Sequence, residues 1–143
     1  MKITLVAATL SLGLAVGAVA HDHVSNPAVA ARMEAMSAIG ASIKTLGSMA
    51  KGEIEFDADA AQAAVDTVAV ESTKVPALFE AQETDPESEA KPEIWSNWDD
   101  FVAKAQALQT AAEGATISTA ADIGPAMGAM GGTCKACHSD YRL

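Results

Sequence analysis

The chain has 143 residues, nine basic and nineteen acidic side chains, a formal charge of −10, and half of its residues hydrophobic but only 4% aromatic. That length suits one domain with a single core. The charge repels polyanions, which argues against nucleic acid as a partner and favours proteins that carry basic patches.

Residues 1–20 have the parts of an export signal: Lys2 as the positive start, an apolar stretch from Ile3 to Val16, and the small-residue cleavage site Ala18-Val19-Ala20. Cleavage there predicts a signal peptide over 1–20 and a mature domain over 21–143. The mature domain keeps eight basic and nineteen acidic residues, a formal charge of −11. Its first residues, His21-Asp22-His23, would offer a free amine, two backbone nitrogens and an imidazole to a square-planar Cu(II) or Ni(II) ion. A disordered tail without metal is the other reading. Charges interrupt every later apolar stretch before it could span a bilayer, so no membrane span is expected in the mature form.

Four stretches then repeat apolar residues in steps of three and four, the spacing of helices packed in a bundle, and strand signals are nearly absent. The first runs through Val29, Met33, Met36, Gly40, Ile43 and Gly47, with Pro27 near its start and an end near Lys51-Gly52. The second runs through Ala61, Val65, Val68, Ser72, Val75 and Phe79, with Asp57 or Asp59 as N-cap. Pro76 should kink or tighten its last turns. Residues 81–91, with Pro86 among the acids Glu83, Asp85, Glu87 and Glu89, read as an exposed, solvated connection. The third helix is expected from Pro92 to Gly114 with Trp95, Trp98, Phe101 or Val102, Ala105, Leu108 and Ala112 inward. The fourth has Thr119 and Asp122 as a capping pair, Pro125 in its first turn, and Ile123, Met127, Met130, Cys134, Cys137 and Tyr141 along one face. The fold class is therefore all-α, a four-helix bundle.

Cys134-Lys135-Ala136-Cys137-His138 has the spacing that attaches a c-type haem. On a helix, positions i, i+3 and i+4 share a face, so both sulfurs and the imidazole point one way. With two cysteines and three histidines in the chain, chance would produce this spacing in roughly less than one such sequence per thousand. A redox dithiol would need a βαβ context, and a structural zinc site about four N and S ligands; neither is present. A structural disulfide is the remaining rival. The motif continues the apolar face of the fourth helix, which puts the haem inside the bundle between facing helices. A buried porphyrin would also supply the aromatic mass that the chain lacks. Export of a haem c precursor points to the periplasm.

The run Cys-Lys-Ala-Cys-His-Ser-Asp-Tyr-Arg on the last of four helices resembles the class II cytochromes c, the cytochromes c′ and their low-spin relatives. Arg32 with Met36, the Lys51-Gly52 helix end and Pro92-Glu93-Ile94-Trp95 fit the same pattern. The resemblance implies a left-handed antiparallel bundle, one covalently attached haem c, and His138 as the proximal iron ligand. It also implies Arg32 near a haem propionate, where a guanidinium fork suits a carboxylate, and Arg142 beside the proximal imidazole. Both arginines could instead be ordinary exposed helix residues.

In cytochromes c′ an apolar residue of the first helix covers the iron and leaves it open to NO and CO, whereas in the low-spin relatives a methionine binds it. Met36, one turn after Arg32, matches that position. A soft thioether suits haem iron, and a His138/Met36 pair would raise the reduction potential and favour electron transfer. Met36 as an unligated lid, and Met33 as rival ligand, stay open. Met127 and Met130 share a helix with His138. An enzyme would need polar acid/base groups over the iron, whereas the first helix offers Met33, Met36, Ile39 and Gly40. The expected role is an electron carrier that meets redox partner proteins, with a gas-binding protein as the alternative; a homodimer is compatible with either.

Overall fold

The computed structural model describes residues 23–143. The expected signal peptide, its cleavage site, and His21 and Asp22 lie outside the described residues. The chain forms α1 (Pro27–Ala50), α2 (Ala58–Phe79), α3 (Glu93–Ser96), α4 (Trp98–Glu113) and α5 (Ala120–Tyr141). The four long helices close a ring, α1 on α2, α2 on α4, α4 on α5 and α5 back on α1, which is the expected four-helix bundle. An isolated antiparallel bridge joins Ala90 to Arg142, and no strand occurs among the described residues. None of their helices is long and apolar enough to cross a membrane.

The helix ends follow local chemistry. Asn26 caps α1, its Oδ1 accepting from the N–H of Ala28 at 2.9 Å and of Val29 at 3.2 Å. Beyond the far end, Gly52 takes φ 70°, a conformation cheap only for glycine. Asp57, not Asp59, caps α2 through Ala60 N–H at 2.9 Å. The helix continues through Pro76 and tightens in its last turn, where Glu80 N–H reaches Ala77 O at 3.4 Å. Thr119 and Asp122 form the expected capping box. Pro125 lies in the second turn of α5 rather than the first, since the helix starts at Ala120.

Two further expectations are corrected. The third predicted helix is broken: Asn97 (φ −122°, ψ 44°) separates α3 from α4. The α3 turn is tied to the end of α2, with Ile94 buried and the Trp95 indole donating to Phe79 O at 2.7 Å, and the helix restarts at Trp98. On α1 the core face is Val29, Ala35, Ile39, Leu46 and Met49, about one position round from the predicted stripe. Met33, Met36 and Ile43 are only half-buried and Gly40 is exposed. These residues face a cavity, and Met36 and Ile43 also rest against the core beside it. The α2 stripe, by contrast, is buried at all six predicted positions.

The core divides in two. One cluster holds Leu46, Val65, Val68, Ile123 and Met130; the other is aromatic, with Phe79, Phe101 and Tyr141 around Val75 and Ile94. In the second cluster Phe79 and Phe101 lie 5.1 Å apart, and Tyr141 meets Phe101 edge-on at 5.4 Å.

Residues 81–91 are not a merely solvated link. Asp85 Oδ2 accepts from Ser25 N–H at 2.9 Å, the Ser25 hydroxyl at 3.0 Å and Asn26 N–H at 3.0 Å. These bonds and the Glu87 N–H hold its carboxyl below the usual aspartate range. Arg32 is only 2% exposed. Its Nε donates to Leu78 O at 2.9 Å, one Nη to Glu83 O at 2.8 Å and the other to Ala81 O, while its plane lies over Phe79 at 4.8 Å. Burial lowers its pKa and Glu83 opposes that shift. Arg32 therefore staples the end of α2 and the following loop to α1.

Replacing Arg32 by Met leaves three carbonyls without their donor, so the holoprotein should lose roughly 3 kcal/mol of unfolding free energy. Urea titration followed by far-UV circular dichroism measures this; a loss below about 0.5 kcal/mol would mean that water replaces the staple freely.

Candidate functional site

The penultimate turns of α5 carry Cys134, Cys137 and His138 on one face, toward a cavity of ≈ 740 Å³, within the roughly 300–1,000 Å³ of small-ligand and cofactor pockets. α1 supplies Met33, Met36 and Gly40 to its wall, α2 and α4 supply Phe79 and Phe101, and residues 87–90 close one edge. Of the four seams in the bundle, that between α1 and α5 is the least closely packed. The cavity lies there.

Both cysteines are free thiols and half-buried, so the disulfide reading finds no support in the geometry. Burial pushes both thiols up. His138 moves the other way: burial and then the nearby Arg142 lower its pKa, with Glu89 opposing. A neutral imidazole keeps the lone pair that a metal needs.

Arg32 and Arg142 also line the cavity. Three of the five Arg32 N–H donors are spent on carbonyls, which leaves at most two for a carboxylate in the cavity. Arg142 is about half exposed and its Nε donates to Glu89 Oε2 at 2.7 Å. Beside this pair the C-terminus clasps the loop before α3, Lys91 N–H donating to Tyr141 O at 3.0 Å and Leu143 N–H to Glu89 O at 2.9 Å. Residues 87–91 thus form a strap fastened to the haem-motif helix at one end and, through Asp85 and Glu83, to α1 at the other.

Sequence reasoning missed the strap and also Lys104, which reaches the cavity from α4. Acid-rich loops usually are solvated, so nothing in the composition singled out Glu89 or Asp85. For Lys104 the only available sign was its i, i+4 spacing from Asp100.

The residues fit a haem. Two thiols and an imidazole stand at attachment spacing, at the mouth of a slot walled by Val75, Phe79, Ile94, Phe101 and Leu108. Among the described residues no group of three or more His, Cys, Asp or Glu could chelate a bare ion.

A protein-family model described as Cytochrome C′ matches residues 27–142. Cytochrome c-556 of Agrobacterium tumefaciens (strain apple 185) is 39% identical over 116 residues, 79% of this chain and 92% of that protein. Cytochrome c′ of Rhodopseudomonas palustris is 37% identical over 118 residues, 80% of each. A solved structure of cytochrome c′ from Rhodopseudomonas palustris superposes with a TM-score of 0.76 at 33% identity, covering 83% of this chain and 98% of that one.

Acid-acetone extraction of the purified holoprotein should leave the haem on the polypeptide. The double variant Cys134→Ser/Cys137→Ser should release it, and release from the parent protein would sink covalent attachment.

Proposed function

Because this chain belongs to the cytochrome c′ family of class II cytochromes c, whose members carry one covalently bound haem c, we propose that it is a periplasmic electron carrier with iron held by His138 and Met36. One observation carries the reading. Met36 is the methionine of α1 that lines the cavity while resting against both core clusters, so its thioether is offered from the helix facing Cys134, Cys137 and His138. A sulfur ligand suits haem iron and, paired with histidine, raises the potential of the one-electron couple that the cofactor supplies.

The protein's own side chains then bind and exclude rather than react. Cys134 and Cys137 would fix the cofactor by thioether bonds, His138 would hold the metal from α5, and Phe79 and Phe101 would keep water from its faces. Around Met36 the α1 wall is Met33, Ser37, Ile39, Gly40 and Ile43, with Arg32 a turn before it engaged by backbone carbonyls, and it carries no carboxylate or imidazole to act as acid or base. That supports a carrier over an enzyme. The sequence pattern of an export signal in residues 1–20 supports the periplasm.

A second reading has one feature in its favour. The relatives include proteins named cytochrome c′ as well as cytochrome c-556. If Met36 only covers the iron, the metal would stay open to NO or CO.

Met36→Ala should turn a low-spin optical spectrum into a high-spin one, lower the reduction potential, and let carbon monoxide bind the ferrous protein that previously resisted it. A parent protein already high-spin and freely binding carbon monoxide would replace the electron carrier with the gas-binding reading.

A further inference from the structure

Lys104 projects from α4 to the wall of the cavity that Cys137, His138 and Tyr141 also line. Its side chain is 22% exposed, whereas its two partners, Asp100 and Asp140, are 55% and 54% exposed. The ammonium pairs with Asp100 Oδ2 and lies 3.1 Å from Asp140 Oδ2. It also sits 5.4 Å from the centre of the Tyr141 ring. Tyr141 completes the circuit by donating its hydroxyl to the same Asp100 oxygen at 2.5 Å.

The arrangement has a mechanical side and an electrical one. Asp140 and Tyr141 are the second and third residues after His138, so bonding them to α4 fixes the last turn of α5. The electrical side follows from exposure: water screens the two outer carboxylates more than the inner ammonium. Arg142, the more exposed cation on the cavity wall, is likewise paired, with Glu89 at the strap. A cation near the iron disfavours the more positive ferric state.

We propose that Lys104 is a positioning residue of the haem site: it clamps the turn of α5 that carries Cys137 and His138, and its charge holds the reduction potential up. The inference rests on the haem occupying this cavity and is independent of whether Met36 binds the iron.

Spectroelectrochemical titration of three holoprotein variants tests it. Lys104→Gln should lower the ratio of reduced to oxidised protein at a fixed applied potential by about threefold, roughly 30 mV for a one-electron couple. Lys104→Arg should restore the parent value, since the charge returns. Asp140→Asn should raise the ratio, because an anion is lost while the cation stays. Shifts of Lys104→Gln and Asp140→Asn in the same direction, or a Lys104→Arg that behaves like Lys104→Gln, would show packing without a field and overturn the proposal. No shift in any variant would overturn it too. If Lys104→Gln does not hold haem, the sign of Asp140→Asn decides alone: a rise supports the proposal and anything else defeats it. Carbon monoxide binding should match the parent in all three, which separates this result from the outcome at Met36.

Discussion

A helix sets residues i, i+3 and i+4 on one face, so Cys134, Cys137 and His138 can act together only if the neighbouring helices leave room in front of that face. Protein interiors ordinarily close at crystal-like density, whereas a half-open slot of ≈ 740 Å³ cuts into this bundle. The rest of the molecule is arranged around that slot. Its core splits into an aliphatic cluster and an aromatic one, and the seam between α1 and α5 stays loose while α2 packs closely on both α1 and α4. The cofactor thereby belongs to the core as much as any side chain, and the scarcity of aromatic residues becomes intelligible.

Keeping such a slot open without the bundle collapsing or splaying requires fixed edges, and here they are polar. Arg32 spends its donors on the carbonyls where α2 ends. Asp85 gathers the N-terminal approach to α1. Glu89 and the bridge at Ala90 hold the C-terminus. Such contacts add little apolar burial. Their value is directional, since a hydrogen bond to a charged group defines both distance and angle.

How far the sequence disclosed this depends on which force set each residue. The α2 stripe was legible because most of it, from Ala61 to Ser72, faces protein, and Val75 and Phe79 are buried even where they reach the cavity, so burial and apolarity coincide. On α1 they separate: Met33, Met36, Gly40 and Ile43 satisfy the same 3.6-residue period as Ile39 and Leu46, and periodicity alone cannot tell a wall from a core. The motif at 134–138 was fully legible, being local. Arg32 was singled out only through the family resemblance, and its bonds to the end of α2, like the roles of Glu89 and Lys104, were not legible, since most of the partners lie 36 to 53 positions away and depend on where the chain returns. The break at Asn97 likewise follows from the Trp95 bond to Phe79 O, a tertiary demand that overrides a continuous helical pattern.

The same separation of wall from core bears on what the α1 side of the slot can do. A methionine that only filled space could be anywhere on that wall, because an unbranched thioether adapts to many shapes. Met36 is less free than Met33 in this respect. It packs against the cluster that contains Ile39 and Leu108 and also against the one that contains Val75 and Phe79, whereas Met33 belongs to neither. Contact on both sides restricts the rotamers open to the side chain, and a ligand already held near its working position gives up less entropy when it binds. By that argument position 36 is better prepared than position 33 to present a sulfur, and Gly40, one turn on, adds no side chain to compete for the space.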